Sequence, residues 1–239
     1  MKRIHRIEPD SRMEPDSIRH HFKAQVPDYP GLMKRLVPFY DEQREILLRL
    51  IPFNREAPLR VLDLGCGPGL LAARLLSEFE RAELTAFDLT QEMLDSCRSR
   101  LSGTDRVSYQ LGDYRSDDLG ENYDLIVAAL SLHHMELEER YGFFQRACRS
   151  LKPGGVFLAS EVIADESTVV REQQYQLWRE FMERNGEDSA AWYRRHCEKD
   201  HPATISFLVA TLSKTGFQSP GCFWRYLNFA ILRASKPAA

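Results

Sequence analysis

The sequence predicts an α/β fold, a doubly wound parallel sheet carrying a helical cap, from three observations. Short apolar runs alternate with helical runs from residue 59 to 162, the pattern of parallel strands joined by right-handed helical crossovers. Tyr123–Leu130 is almost wholly apolar and reads as a strand buried on both faces. The first apolar run ends in a glycine loop that leads directly into a helix.

Taken in order, the elements follow from local chemistry. At the start, Arg6-Ile7-Glu8-Pro9-Asp10-Ser11 is repeated as Arg12-Met13-Glu14-Pro15-Asp16-Ser17, too short a unit for a solenoid; residues 1–16 read as a mobile tail. Ser17 is placed to cap a short helix from Ile18 to Ala24, before Pro27, Pro30 and Gly31 break the chain. Leu32 to Ile51 has helical periodicity, with Pro38 starting a second helix or kinking the first. Leu59–Leu64 reads as the first strand, and Leu70 to Phe79 as a helix with one leucine-rich face. Ala82–Asp88 is a second strand, Thr90 caps a helix from Gln91 to Arg100, and Val107–Leu111 is a third strand. After the fourth, a helix from Glu136 to Leu151 stops at Lys152-Pro153-Gly154-Gly155, and Val156–Val162 is the fifth strand. Residues 165–200 are helical and rich in aromatics, residues 203–215 form a further helix, and Phe217–Trp224 and Tyr226–Arg233 read as closing strands.

Composition narrows the function. The chain has 239 residues, 32 Lys and Arg against 35 Asp and Glu, and a net charge of −3, which argues against a dedicated nucleic-acid binder. No apolar run approaches the ~20 residues of a bilayer span. The basic start is not followed by a hydrophobic segment, so it does not read as a secretory signal, and a cytoplasmic location is expected. Five scattered cysteines without a CxxC pair fit reduced thiols and offer no zinc-ligand spacing.

The strongest signal is Val61-Leu62-Asp63-Leu64-Gly65-Cys66-Gly67-Pro68-Gly69. Glycines permit a sharp turn and close approach of a ligand, and the helix that follows presents unpaired N–H groups. Ligands of such sheets sit beyond the carboxyl ends of the strands. The spacing GxGxG, the carboxylate of Asp63 on the strand and the missing N–H of Pro68 all disfavour a pyrophosphate and suit a cationic amino-acid group. Asp88 ends the second strand, where a carboxylate can accept from ribose hydroxyls. Asp113, in Gly112-Asp113-Tyr114, can accept from an adenine amino group, with Tyr114 walling the ring.

These motifs, with Phe87-Asp88-Leu89-Thr90, Tyr123–Met135 and Leu151-Lys152-Pro153-Gly154-Gly155, resemble class I S-adenosylmethionine-dependent methyltransferases over roughly residues 55 to 233. The resemblance implies a Rossmann-like seven-stranded sheet with the last strand antiparallel, and S-adenosyl-L-methionine as cofactor. It also implies that Gly65, Gly67 and Gly69 line the methionine part, that Asp88 binds ribose and that Asp113 binds adenine. Cys66, Leu89 and Met93 join the expected cofactor set. The segment Arg35–Tyr40 and the ending Gly216-Phe217 … Tyr226-Leu227-Asn228-Phe229-Ala230 resemble the methyltransferases related to carboxy-S-adenosylmethionine synthases, in which the residue at Tyr40 closes over the cofactor. Those synthases carry an Asn after the fourth strand where this chain has Ala129, which favours ordinary methyl donation.

The implied organisation is an N-terminal helical cap segment at 17–54 and a methyltransferase domain at 55–239 with a cap insertion near 165–200. Methyl transfer needs an in-line nucleophile, and a general base only where the acceptor must lose a proton. His133 and His134 follow the fourth strand and are the candidate catalytic residues. Two adjacent residues at a strand end hold one metal poorly, so no metal is expected. Trp178, Tyr193 and Arg195 of the insertion are the candidate substrate contacts. No Asn-Pro-Pro-Tyr motif or RNA-binding module occurs, so a small-molecule acceptor is expected, with neither membrane nor nucleic acid as partner and a homodimer left open. The competing readings are a carboxy-S-adenosylmethionine synthase-like enzyme of tRNA wobble modification, a non-catalytic cofactor-binding module and, more remotely, a nicotinamide oxidoreductase.

Overall fold

The inner strands of the central sheet send alternate side chains to two separate cores, and that alternation fixes their register. The computed structural model describes residues 28–238; the repeat at 6–17 and the short helix from Ile18 to Ala24 lie outside the described residues. The elements, in order, are α1 Tyr29–Leu36, α2 Tyr40–Arg49, β1 Arg60–Leu64, α3 Leu70–Glu78, β2 Glu83–Asp88, α4 Gln91–Arg100, β3 Val107–Leu111 and β4 Tyr123–Ala129. After a 3₁₀ turn at Leu132–His134 come α5 Arg140–Ser150, β5 Leu151–Ala164, α6 Thr168–Arg184, α7 Ser189–Lys199, β6 Ala203–Thr204, α8 Ile205–Lys214, β7 Gln218–Tyr226 and β8 Phe229–Ser235. The strand order is β3-β2-β1-β4-β5-β8-β7, with the two-residue β6 pairing β5 off this path. All pairings from β3 to β5 are parallel, and β8 is antiparallel to both its neighbours. This is the Rossmann-like sheet that the resemblance implies, with the antiparallel strand inserted next to the edge.

Leu62, Leu64, Ile126 and Phe157 face a core shared with Phe143 and Phe144 of α5 and Leu208 and Leu212 of α8. Val61, Leu84, Leu125, Val127 and Leu158 face the opposite core, closed by α2, α3 and α4. A third, smaller cluster joins the N-terminal segment to the insertion: Leu36, Val37 and Tyr40 meet Trp178, Met182 and Phe229. Polar ties reinforce that junction, because the Trp178 indole N–H donates to the Leu36 carbonyl at 2.7 Å and Arg35 Nε meets Glu187 Oε1 at 2.6 Å. The insertion therefore lies over the carboxyl ends of the central strands, against α1.

Several boundaries differ from the sequence expectation. Pro30 and Gly31, expected to break the chain, lie in the first turn of α1, where a proline N–H is not needed, and the closing strands run at Gln218–Tyr226 and Phe229–Ser235. The helix expected from Glu136 begins only at Arg140, after a turn in which the Glu139 N–H donates to the Glu136 carbonyl. Strand β5 starts at Leu151 rather than Val156, because the chain passes through Pro153-Gly154-Gly155 by a register shift and keeps pairing with β4 at Tyr123. The helix expected from residue 203 starts at Ile205, after β6. No helix among the described residues is long and apolar enough to cross a membrane.

Candidate active site

The carboxyl ends of β1, β2, β3 and β4 surround a cleft beneath α1 and α2, and its floor is the glycine loop. The Gly65 and Cys66 N–H groups both donate to the Phe87 carbonyl, Gly67 N–H donates to Asp88 Oδ2 at 2.9 Å, and Gly69 N–H donates to the Cys66 carbonyl. With Pro68 lacking an N–H, every amide of the loop is spent internally, and none is left to cradle a pyrophosphate. Gly65 has φ +68°, and a Cβ there would lie 2.5 Å from Ser131 Cβ. Gly67 has φ +53°, and its Cβ would meet no protein atom within 4 Å, so a side chain there would project into the cleft. Gly69 is different. Its Cβ would strike Cys97 Sγ at 2.6 Å, so this glycine permits close contact of the loop with α4 rather than lining the cleft.

The cleft has two connected parts. One is lined by Asp88, Leu89, Met93, Asp113 and Tyr114, and the other by Tyr40, Asp63, Cys66, Leu70, Leu71 and Ser160; Tyr29, Gly65, Gly67, Ala129 and Leu130 border both. The expected cofactor residues other than Gly69 therefore converge here. Gln43 anchors α2 over the second part. Its Nε2 donates to the Pro38 carbonyl and its Oε1 accepts from Ser160 Oγ, which holds Tyr40 over the loop with Arg44 stacked 4.3 Å from its ring centroid.

Three carboxylates give the cleft its character. Asp63 is 1% exposed, flanked by Ala86 and Val127 on the neighbouring strands, and neither oxygen has a hydrogen-bond partner. Burial, reinforced by the Asp88 charge, pushes its pKa up to about 7. Asp88 is also raised by burial, but it is held by Gly67 N–H and by the Thr90 amide and hydroxyl. Burial acts to raise Asp113 as well. Here the four hydrogen bonds from the Arg115 amide and guanidinium outweigh it and hold the carboxyl below its ordinary value.

A third compartment adjoins the cleft under the insertion. Tyr29 and Leu130 border it and both parts of the cleft, and His134 borders it and the Asp88 part. Its other walls include Met33, Val162, Trp178, Met182, Trp192 and Arg195. Of the expected substrate contacts, Trp178 and Arg195 line it and Tyr193 does not. Helical spacing on α7 turns Trp192, Arg195 and His196 inward together. Tyr193 instead packs on α6, with its ring 5.5 Å from that of Tyr175 and 4.9 Å from the Arg179 guanidinium.

Asp200, Glu161 and Arg140 were invisible as site residues in the sequence. Asp200 follows α7, four residues after His196, whose Nδ1 lies 2.8 Å from Asp200 Oδ2. The other oxygen lies 3.0 Å from His134 Nδ1 and 3.9 Å from His133 Nε2. Glu161 Oε2 lies 3.7 Å from His133 Nδ1. Arg140, 1% exposed, clamps this region by donating to the carbonyls of Leu132, Met135 and His201. Charged hydrogen bonds contribute ~1.5–3 kcal/mol each when buried. Arg140→Met is therefore expected to destabilise the chain by about 3 kcal/mol or more in urea unfolding; a loss under 1 kcal/mol would contradict the clamp.

Comparison with known proteins agrees with this geometry. Residues 61–155 match the family model described as a methyltransferase domain. Carboxy-S-adenosyl-L-methionine synthase of Aeromonas hydrophila is 27% identical over 228 residues, covering 91% of this chain and 92% of its own. The synthase of the same name from Colwellia psychrerythraea is 26% identical, covering 90% and 91%. Among solved structures, a putative O-methyltransferase from Nostoc punctiforme has a TM-score of 0.65 at 17% identity, covering 90% of this chain and 60% of its own. Human N-acetylserotonin methyltransferase, solved with S-adenosylmethionine, has a TM-score of 0.56 at 20% identity, covering 93% and 68%. At these identities the structural likenesses establish the fold.

Proposed function

We propose that this methyltransferase-domain enzyme, whose cofactor is S-adenosyl-L-methionine, transfers a methyl group to a small-molecule acceptor held in the compartment beneath the insertion. The observation that carries the reading is the shared border: Tyr29 and Leu130 line both parts of the cleft and the third compartment, so acceptor and cofactor spaces meet there. The residues fit the cofactor. Unpartnered Asp63 suits a positively charged amino group, the open face of Gly67 leaves room beside the loop, and Asp88 Oδ2, which accepts only from Gly67 N–H, retains a lone pair for a ribose hydroxyl. Tyr114 walls the same part, its hydroxyl fixed by donating to the Ser131 carbonyl at 2.7 Å.

When bound, the cofactor supplies an activated methyl on a sulfonium and its own leaving group. The protein's task is positioning, which contributes ~7–11 kcal/mol to such displacements when the attacking atom is in line. Trp178, Trp192, Met33 and Val162 exclude water from the acceptor, and His134, at the border of the two spaces, meets its reacting end. The test is release of S-adenosylhomocysteine in the presence of a panel of small hydroxyl, amine and thiol compounds. Release that depends on one of them is expected; none across the panel, with the cofactor firmly bound, would contradict methyl transfer to small acceptors.

The glycines offer a second check. Gly67→Ala is expected to cost only the ~1–2 kcal/mol of a left-handed alanine yet lower cofactor affinity at least tenfold. Gly65→Ala is expected to be the more destabilising, because its methyl runs into Ser131. Thermal melts and calorimetric titration separate the two effects, and equal cofactor affinity in Gly67→Ala would contradict the placement. A carboxy-S-adenosylmethionine synthase activity is the second reading, favoured by the named relatives and by Arg195 in the acceptor compartment. Ala129, where those synthases carry Asn, bears against it.

A further inference from the structure

We propose that His133, His134 and Asp200 form a binding site for a divalent transition-metal ion, opening on the acceptor compartment. One potential ligand atom from each of these residues lies within 4.8 Å of the other two. Two nitrogens and an oxygen around a zinc-like ion with ~2.0–2.1 Å bonds stand about 3.3 Å apart; the separations of 3.0 and 3.9 Å to Asp200 Oδ1 bracket that value. Adjacent residues on a strand point to opposite faces. Here they do not, because the chain leaves β4 and turns through a 3₁₀ segment at Leu132–His134. The two rings then lie side by side, their centroids 4.1 Å apart.

A second observation points to a ligand. His133 Nδ1 and Glu161 Oε2 are both buried without a hydrogen-bond partner, 3.7 Å apart, and Glu161 is 1% exposed. A histidine that binds metal through one nitrogen commonly donates from the other to a carboxylate, which fixes its tautomer. Glu161 is in place to accept from His133 Nδ1 and so aim Nε2 at Asp200. The supporting shell is otherwise built. His196 holds the second oxygen of Asp200, His201 N–H donates to the His133 carbonyl at 2.6 Å, and Arg140 ties the 3₁₀ turn to residue 201. Asp200 and Glu161 supply two negative charges against a divalent cation, and both imidazoles bind it neutral. The donor set, two imidazoles and one carboxylate, suits first-row ions rather than calcium or magnesium. His133, His134 and Asp200 all line the acceptor compartment, so a further coordination position faces the acceptor and fits an oxygen-bearing group, such as a hydroxyl or carboxylate.

This site rests on the acceptor compartment assigned above, but its test needs neither cofactor nor acceptor. The full chain, stripped with a chelator, is titrated with Co²⁺ alone, followed by visible absorption and by metal analysis after desalting. One tightly held ion per chain with ligand-field bands is expected, displaced by Zn²⁺. His133→Ala and Asp200→Ala are each expected to weaken binding at least 100-fold, and Glu161→Gln, which keeps the three ligands, about 10- to 100-fold. Asp95→Ala, on the exposed face of α4 and paired there with Arg98, should bind as the wild type does. Absence of a tight ion, or binding that survives Asp200→Ala in a chain that still melts cooperatively, would overturn the site. Calorimetry with S-adenosylmethionine on the stripped chain tests the cofactor reading separately.

Discussion

Asp88→Ala is expected to lose S-adenosylmethionine affinity by ~10–10²-fold, the equivalent of one charge-assisted hydrogen bond at ~1.5–3 kcal/mol. The Asp88 carboxylate stands at the end of β2, 8% exposed, its Oδ2 held by Gly67 N–H and its Oδ1 by Thr90. Oδ1 accepts twice from Thr90, whereas Oδ2 accepts only from Gly67 N–H and keeps a lone pair toward the cleft, and these bonds fix the side chain before the ligand arrives. They also mean that truncation strips the loop of an internal partner. Asp88→Asn is the companion variant, since it retains the volume and one acceptor oxygen. It is expected to bind more weakly than wild type but more tightly than Asp88→Ala. Unchanged affinity in a folded Asp88→Ala protein would remove the ribose assignment.

Asp63 gives the second large effect, and its sign is unusual. Its pKa in the folded chain is about 7, pushed up by burial and by Asp88, against an ordinary carboxyl value near 4 in the unfolded chain. Between those limits the folded state binds more protons than the unfolded state, so stability falls as pH rises. The ligand-free chain is therefore expected to be most favoured by this group below pH ~4. The contribution of Asp63 then declines by a few kcal/mol up to about pH 7, and is flat beyond. Asp63→Asn should remove that decline and raise the melting temperature of the ligand-free chain at pH 8. It should also weaken binding of the cofactor at least tenfold, because the amide carries no charge to set against an ammonium. Melting curves from pH 5 to 8 check the first claim and calorimetry the second. A ligand-free Asp63→Asn chain less stable than wild type at pH 8 would contradict it.

Much of this was legible in the sequence, for identifiable reasons. β4 is almost continuously apolar because both faces are buried, β1 and β2 bury nearly every residue past their first, and the glycines mark where the chain must turn beside a ligand. Asp63 stood out because a carboxylate in such a run needs an explanation, and the structure supplies one in its lack of any partner. Pro153-Gly154-Gly155 carries a turn signal that shortens β5 in the sequence, while the structure takes this segment through a register shift without leaving the sheet. Spacing alone groups Gly69 with the cleft-lining glycines, although its role is to let α4 approach. Tyr193 and Trp192 differ only in helical phase, which one residue of uncertainty erases. Asp200, Glu161 and Arg140 are separated by tens of residues and come together only through the packing of α5, β5 and the segment after α7. Nothing local marks Asp200 beyond a histidine four residues earlier on α7.

The most direct test of the account is native mass spectrometry of the freshly purified full chain, with chemical identification of whatever ligand it carries. S-adenosylmethionine or S-adenosylhomocysteine, lost in Asp88→Ala, is the predicted result. A nicotinamide dinucleotide in its place would contradict the reading of the glycine loop, of Asp63 and of the cleft as a whole.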